Sequence, residues 1–172
     1  MPALKRANIR LSDVHKFVAD DGSRRITGIA SSISVDRMGD IVVPSGGSWT
    51  LPVPLLFQHS QTDAIGRVTK AQVRGDAIVI EAQLAKGVGR ADEVWSLIQQ
   101  DVLDSFSIGF RSIKSEPLPN GGLRFTQWEL LEISVVAVPA QAAAKISRGR
   151  TVVCSCAVLA PSGSRNARAR CD

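Results

Sequence analysis

"DSFSIGF", residues 104–110, alternates Phe106, Ile108 and Phe110 with Ser105, Ser107 and Gly109. A period of two belongs to a half-buried β-strand, because successive side chains of an extended chain point to opposite faces. Phe106, Ile108 and Phe110 are therefore expected to face the core, and both serines and the glycine to face outward. Just before this stretch, Ala91, Val94, Trp95, Ile98 and Val102 recur at spacings of three and four, which predicts a helix within 88–103. Just after it, "PLPNGG" (117–122) marks a turn, and the run from Leu123 ends at Pro139 as a second long strand.

Further toward the N-terminus, "DDGS" (20–23) separates two short runs and suggests a hairpin. In "LPVPLLFQHS" (51–60), Pro52 and Pro54 exclude a helix interior and lead into Leu55, Leu56 and Phe57, a run that ends at His59. Residues 64–84 read as strand, tight turn at "RGDA" (74–77), and strand. The sum is mainly β with flanking helices (α+β), the second helix being a short one after Pro139. A compact antiparallel β-barrel is the expected architecture.

Composition narrows the class. A chain of 172 residues that is 44% hydrophobic has material for one core, assigned to residues 1–146. Residues 147–172 hold five arginines against Asp172, so most of the net charge of +5 sits in what reads as a basic, disordered tail. With no tyrosine and few other rings, a stacking platform for single-stranded nucleic acid has little to be built from, and no nucleic-acid partner is expected. Cys154, Cys156 and Cys171 all lie in the tail, odd in number and without a histidine, so neither a zinc site nor any other cofactor is expected. The N-terminus lacks the apolar core of an export signal, and no run reaches the ~18 apolar residues of a membrane span, so a soluble, non-exported protein is expected.

The histidines limit the chemistry to a short search. His15 lies among charged neighbours and reads as a surface residue, whereas His59 ends an apolar run and can reach a cleft from it. If residues 128–138 form one strand, Trp128, Leu130, Glu132, Ser134, Val136 and Val138 share a face, with Glu132 its one charged group. A carboxylate so placed needs a partner, which is an arginine such as Arg67 or Arg124 on a structural reading, or His59 on a functional one. Serine, histidine and carboxylate are the parts of a hydrolytic triad. Strand phase alone does not say whether Ser105 or Ser107 would serve, and the absence of a G-x-S-x-G turn excludes the usual α/β-hydrolase elbow.

Four segments, "VDRMGDIVVPSG" (35–46), "VPLLFQHSQTDAIGRV" (53–68), "ADEVWSLIQQDVLDSFSIGFR" (91–111) and "WELLEISVVAVPAQAAAKI" (128–146), together resemble the prohead proteases of HK97-type tailed bacteriophages. The resemblance covers about residues 8–146. It implies a serine endopeptidase with a fold related to the herpesvirus assembly proteases. Such an enzyme acts inside the assembling prohead in the bacterial cytoplasm, cutting the scaffolding region, the major capsid protein and commonly itself. It further implies His59 as base, Ser107 as nucleophile and Glu132 as third member, with Asp104 the alternative to Glu132. Backbone N–H groups near Ser107 and Gly109, or Arg111, are the candidate oxyanion donors. A homodimer is implied only through the herpesvirus relatives. A non-catalytic scaffold-binding barrel and a small-molecule serine esterase are the competing readings.

Overall fold

In the computed structural model, which describes residues 17–19, 21–119 and 121–147, strands dominate. In chain order they are β1 (Phe17–Val18), β2 (Arg24–Ser32), β3 (Ile41–Val42), β4 (Gly47–Ser48), β5 (Val53–Phe57), β6 (Ser60–Arg74) and β7 (Ala77–Leu84). Then come α1 (Gly89–Gln99), β8 (Ser105–Pro117) and β9 (Leu123–Val136). His15, the three cysteines and all of the tail except Ser147 lie outside the described residues.

Most of the local expectations are realised. β6 and β7 form a hairpin over the two-residue turn Gly75–Asp76, with Gly75 at φ 57°. The alternation in β7 buries Ile78, Ile80, Ala82 and Leu84. Helix α1 buries Ala91, Val94, Trp95 and Ile98 as the spacing predicts. It ends earlier than predicted, however, and Val102 is exposed. Asp101 takes a left-handed conformation at φ 58°, the Val102 N–H returns to the Leu97 carbonyl and the Asp101 N–H to that of Ile98. That pair of bonds is a Schellman stop, here built on aspartate where glycine is usual.

Among the described residues the sheet has nine strands, ordered β1-β2-β7-β6-β5-β9, with β9 paired on its far side to β8. It is mixed, a departure from the antiparallel expectation: β3, β4 and β5 all pair parallel to β9, at Arg124–Phe125, Trp128–Glu129 and Ile133–Val135. One long strand thus serves three short ones laid end to end. The interruptions fall where Pro44, Gly46 and Pro52 break the extended run, since proline cannot donate to a ladder and glycine weakens one.

Neither does the ladder close into the expected barrel. Between β2 and β8 the described residues contain only two isolated bridges, both made by residues 145–146: Ile146 to Gly28 and Lys145 to Ser105. The segment after Pro139 is this extended strap and a turn, and not the short helix expected there. The strap is held by Ile29 N–H to Lys145 O (3.1 Å), Phe106 N–H to Ala144 O (3.1 Å), Ile146 N–H to Asp104 O (2.7 Å) and Ser147 N–H to Thr27 O (3.1 Å).

The core lies inside the curved sheet, where Trp128, Phe106, Ile26, Leu55, Ile65 and Ile133 are fully buried. Trp128 donates its indole N–H to the Val43 carbonyl at 2.9 Å and meets the edge of Phe110 at 5.5 Å. Helix α1 is tied to the sheet by Arg24, which pairs with Asp92 and lies 5.8 Å over the Trp95 ring.

Candidate active site

Ser107, Gly109, Glu132 and Ser134 lie on the β8–β9 hairpin, and His59 on the turn between β5 and β6. Ser107 sits on β8 directly opposite Ser134 on β9, and Gly109 sits opposite Glu132. The next pair is Phe110 with Leu130, so Leu131 is an extra residue, a bulge in β9. The bulge corrects the phase read from the sequence. Trp128 and Leu130 lie on the core side with Phe110, while Glu132 and Ser134 lie on the opposite side with Gly109 and Ser107. Val138, predicted to share that face, is beyond the end of the strand and exposed.

The supposedly outward serines are also buried, Ser105 at 0% and Ser107 at 5% exposure, because this end of the ladder is covered on both faces. Their surroundings separate them. Ser105 donates its hydroxyl proton to Asp104 Oδ1 at 2.6 Å and accepts from Lys145 Nζ at 2.8 Å. Lys145 also pairs with Asp104 at 2.8 Å, which ties that carboxylate to the strap. Ser107 instead borders a small cavity of about 50 Å³ shared with Ala30, Ile108 and Ala144. A cavity of about 470 Å³ between Asp21–Arg24, Gly66–Arg67 and Gln83–Lys86 contains none of His59, Ser107 and Glu132.

His59 arrives from the other side of β9. Phe57 pairs with Ser60 across the two-residue turn Gln58–His59, and both turn residues have positive φ, 53° and 59°. This is type I′ hairpin geometry, which favours Asn-Gly; here neither residue is glycine, at a cost of roughly 1–2 kcal/mol each. The turn is pinned to β9 by Gln58 N–H to Val135 O (3.0 Å) and by His59 N–H to Ser134 Oγ (3.1 Å).

From that turn the His59 ring places Nδ1 2.7 Å from Glu132 Oε1. The other carboxylate oxygen, Oε2, accepts the Ser134 hydroxyl at 2.8 Å. Glu132 is thus partnered by His59 and Ser134, and by neither Arg67 nor Arg124. An ionised carboxylate only accepts, so Nδ1 carries a proton here, and in the neutral imidazole Nε2 then holds the lone pair. The His59 side chain is half exposed and that of Glu132 largely enclosed. No hydrogen bond joins the imidazole to Ser107 among the described residues.

Gly109 makes room for the carboxylate on β9. A Cβ there would lie 2.3 Å from Glu132 Oε1 and 2.9 Å from its Cδ and Cγ, so the space over Gly109 is filled by this carboxylate and is not open to a substrate chain. Arg111, an oxyanion candidate by sequence, pairs with Glu129 on the exposed part of the hairpin. Among the described residues no three His, Cys, Asp or Glu side chains converge as metal ligands. Two residues escaped the sequence reading. Ser134 was visible only as a neighbour in phase with Glu132, and Lys145 carried no signal.

The chain matches known proteins over this whole region. A family model described as caudovirus prohead serine protease matches residues 19–155. The capsid polyprotein of Pseudomonas phage PAJU2 is 39% identical over 154 residues, covering 86% of this chain and 23% of the relative. The prohead protease of Escherichia phage T5 is 30% identical over 147 residues, covering 79% of this chain and 69% of the relative. The chain therefore spans about a quarter of the first relative's length. Among solved structures, KSHV protease in complex with a hexapeptide phosphonate inhibitor aligns with a TM-score of 0.52 at 11% identity, over 72% of this chain and 64% of that one. At that identity the likeness concerns the fold.

Proposed function

The chain belongs to the caudovirus prohead serine protease family, and on that premise we propose that it is an endopeptidase of capsid maturation with Ser107 as nucleophile, His59 as base and Glu132 as third member. The observation that carries this reading is the His59 Nδ1 to Glu132 Oε1 contact of 2.7 Å, on the face of the β8–β9 ladder that also holds Ser107.

In this mechanism Glu132 accepts a hydrogen bond from Nδ1–H, which holds the tautomer in which Nε2 is free to receive a proton. As Ser107 Oγ attacks a peptide carbonyl carbon, its proton passes to Nε2. The tetrahedral species collapses, the C–N bond breaks, and the Nε2 proton goes to the departing amine. Water then repeats the sequence on the acyl-serine, returning the proton to Ser107 and releasing the acid. Base assistance contributes ~10²–10⁴-fold, and each oxyanion donor adds about 3 kcal/mol. Since Arg111 is engaged by Glu129, backbone N–H groups of β8 are the preferred donors.

The substrates on this reading are the scaffolding region and the major capsid protein, with the chain itself as a further one, cut within the assembling prohead in the host cytoplasm. The relative named a capsid polyprotein supports a capsid context. Incubating wild type and Ser107→Ala with the immature shell proteins tests it. Wild type is expected to cut them and the variant to leave them intact; cleavage that survives Ser107→Ala removes this serine from the reaction. Wild type that takes a fluorophosphonate on Ser107 yet cuts no protein would instead make the site an esterase.

A further inference from the structure

We infer that Ser134 is the positioning residue of this site: its hydroxyl locks the base and the third member into one arrangement. The inference rests on the triad reading above, and it adds a residue that the triad does not contain.

Ser134 is fully buried at the centre of the site, with Ser107 opposite it on β8 and Leu56 opposite it on β5. Its oxygen accepts the backbone N–H of His59 at 3.1 Å, so its own proton is free to be donated, and it goes to Glu132 Oε2 at 2.8 Å. Glu132 Oε1 in turn receives the His59 ring proton across 2.7 Å. The three residues close a ring of hydrogen bonds: His59 backbone to Ser134, Ser134 to Glu132, Glu132 to the His59 side chain.

The ring has a mechanical consequence. His59 stands on a left-handed turn without glycine, which persists only where its surroundings hold it. Ser134 supplies one of the two bonds that pin that turn, and the same hydroxyl fixes the rotation of the carboxylate the imidazole must meet. Backbone and ring of His59 are therefore referred to a single oxygen on β9. With Ser134→Ala the carboxylate loses its second donor and the His59 N–H its acceptor, while the apolar packing stays. A displacement of about 1 Å at reacting groups costs on the order of 10²-fold in rate.

The test uses a fluorophosphonate, which reports on Ser107 without knowledge of the natural cleavage site, and the ¹H resonance of the His59 Nδ1 proton. Ser134→Ala is expected to fold, to lose about 10- to 100-fold in the maximal phosphonylation rate with the half-saturating probe concentration unchanged, and to lose the resonance to exchange with water. Ser134→Thr, which keeps the hydroxyl, is expected to restore both. Wild-type rate and a sharp resonance in folded Ser134→Ala overturn the inference. So does a rate loss that Ser134→Thr shares in full while the resonance stays sharp. Labelling that survives Ser107→Ala, or an unlabelled wild type, defeats the triad reading instead, and the resonance still decides whether Ser134 holds His59.

Discussion

A carboxylate is only as well placed as the space left for it, and at the site of Glu132 that space is made by Gly109. A methyl group at position 109 would meet first three atoms of the Glu132 side chain, at 2.3 to 2.9 Å, and a side chain can rotate away where backbone cannot. Gly109→Ala is therefore expected to retain its fold and to lose at least 10-fold in activity toward a fluorophosphonate, as Glu132 leaves His59; full activity would show that this contact is dispensable. Gln58 offers the opposite kind of change. It is exposed and occupies the first left-handed position of the hairpin turn, where asparagine is preferred. Gln58→Asn should raise stability by about 0.5–1 kcal/mol, a shift of a few degrees in Tm, with activity unchanged. His59 as a candidate was legible from the apolar run before it. The family resemblance picked out Ser107, but strand phase could not tell it from Ser105, because the difference lies in Asp104 and Lys145 on one side and Ser134 on the other, and Lys145 is distant in sequence.

Among the elements, β9 organises the site, since it carries Glu132 and Ser134, pairs with β8 on one edge and with β5 on the other. The bulge at Leu131 turns its second half over, which explains how a strand can bury Trp128 and Leu130 inward and still offer Glu132 on the other face. Strict alternation placed these three together, so Glu132 was singled out from a phase that does not hold. A bulge is set by pairing with the partner strand and leaves little trace in the sequence. The strap over residues 144–147 depends on a close approach of the same long-range kind. A Cβ on Gly28 would meet the Lys145 carbonyl oxygen at 2.2 Å, a backbone atom that cannot swing aside. Gly28→Ala is expected to detach the strap, to destabilise the protein by about 1–3 kcal/mol, and to speed hydrogen exchange at the Ile29 and Ile146 amides. Unchanged protection at those amides would mean that the strap does not bear on β2.

On the scale of the whole molecule, one ionised group laces the far half of the sheet. Glu81 on β7 binds Lys70 of β6 at 3.0 Å and Arg25 of β2 at 2.9 Å. Burial raises its pKa, but Lys70 and then Arg25 outweigh that and hold it below its ordinary value of 4.5. The stabilisation is accordingly full above the ordinary carboxylate range and is lost as pH falls through the lower folded value. Wild type should be more stable than Glu81→Gln at neutral pH, by about 1 kcal/mol for so exposed a set of partners, and the gap should shrink on acidification. A gap that widens toward acid would contradict the pairing. What the amino-acid order determined alone was carried by local period and turn chemistry: the alternation of β7, the core-facing Phe106 of β8, the buried stripe of α1, the turn at 74–77, and a mainly β fold. Tertiary structure alone decided the parallel seating of three short strands on β9, the sheet left open but for a strap, and the bulge and the strained turn that bring His59 to Glu132 and Ser134. These depend on register between segments far apart in the chain, as Gly28 is from Ile146, and register is chosen by the packing of the whole core and not by the preference of any one segment.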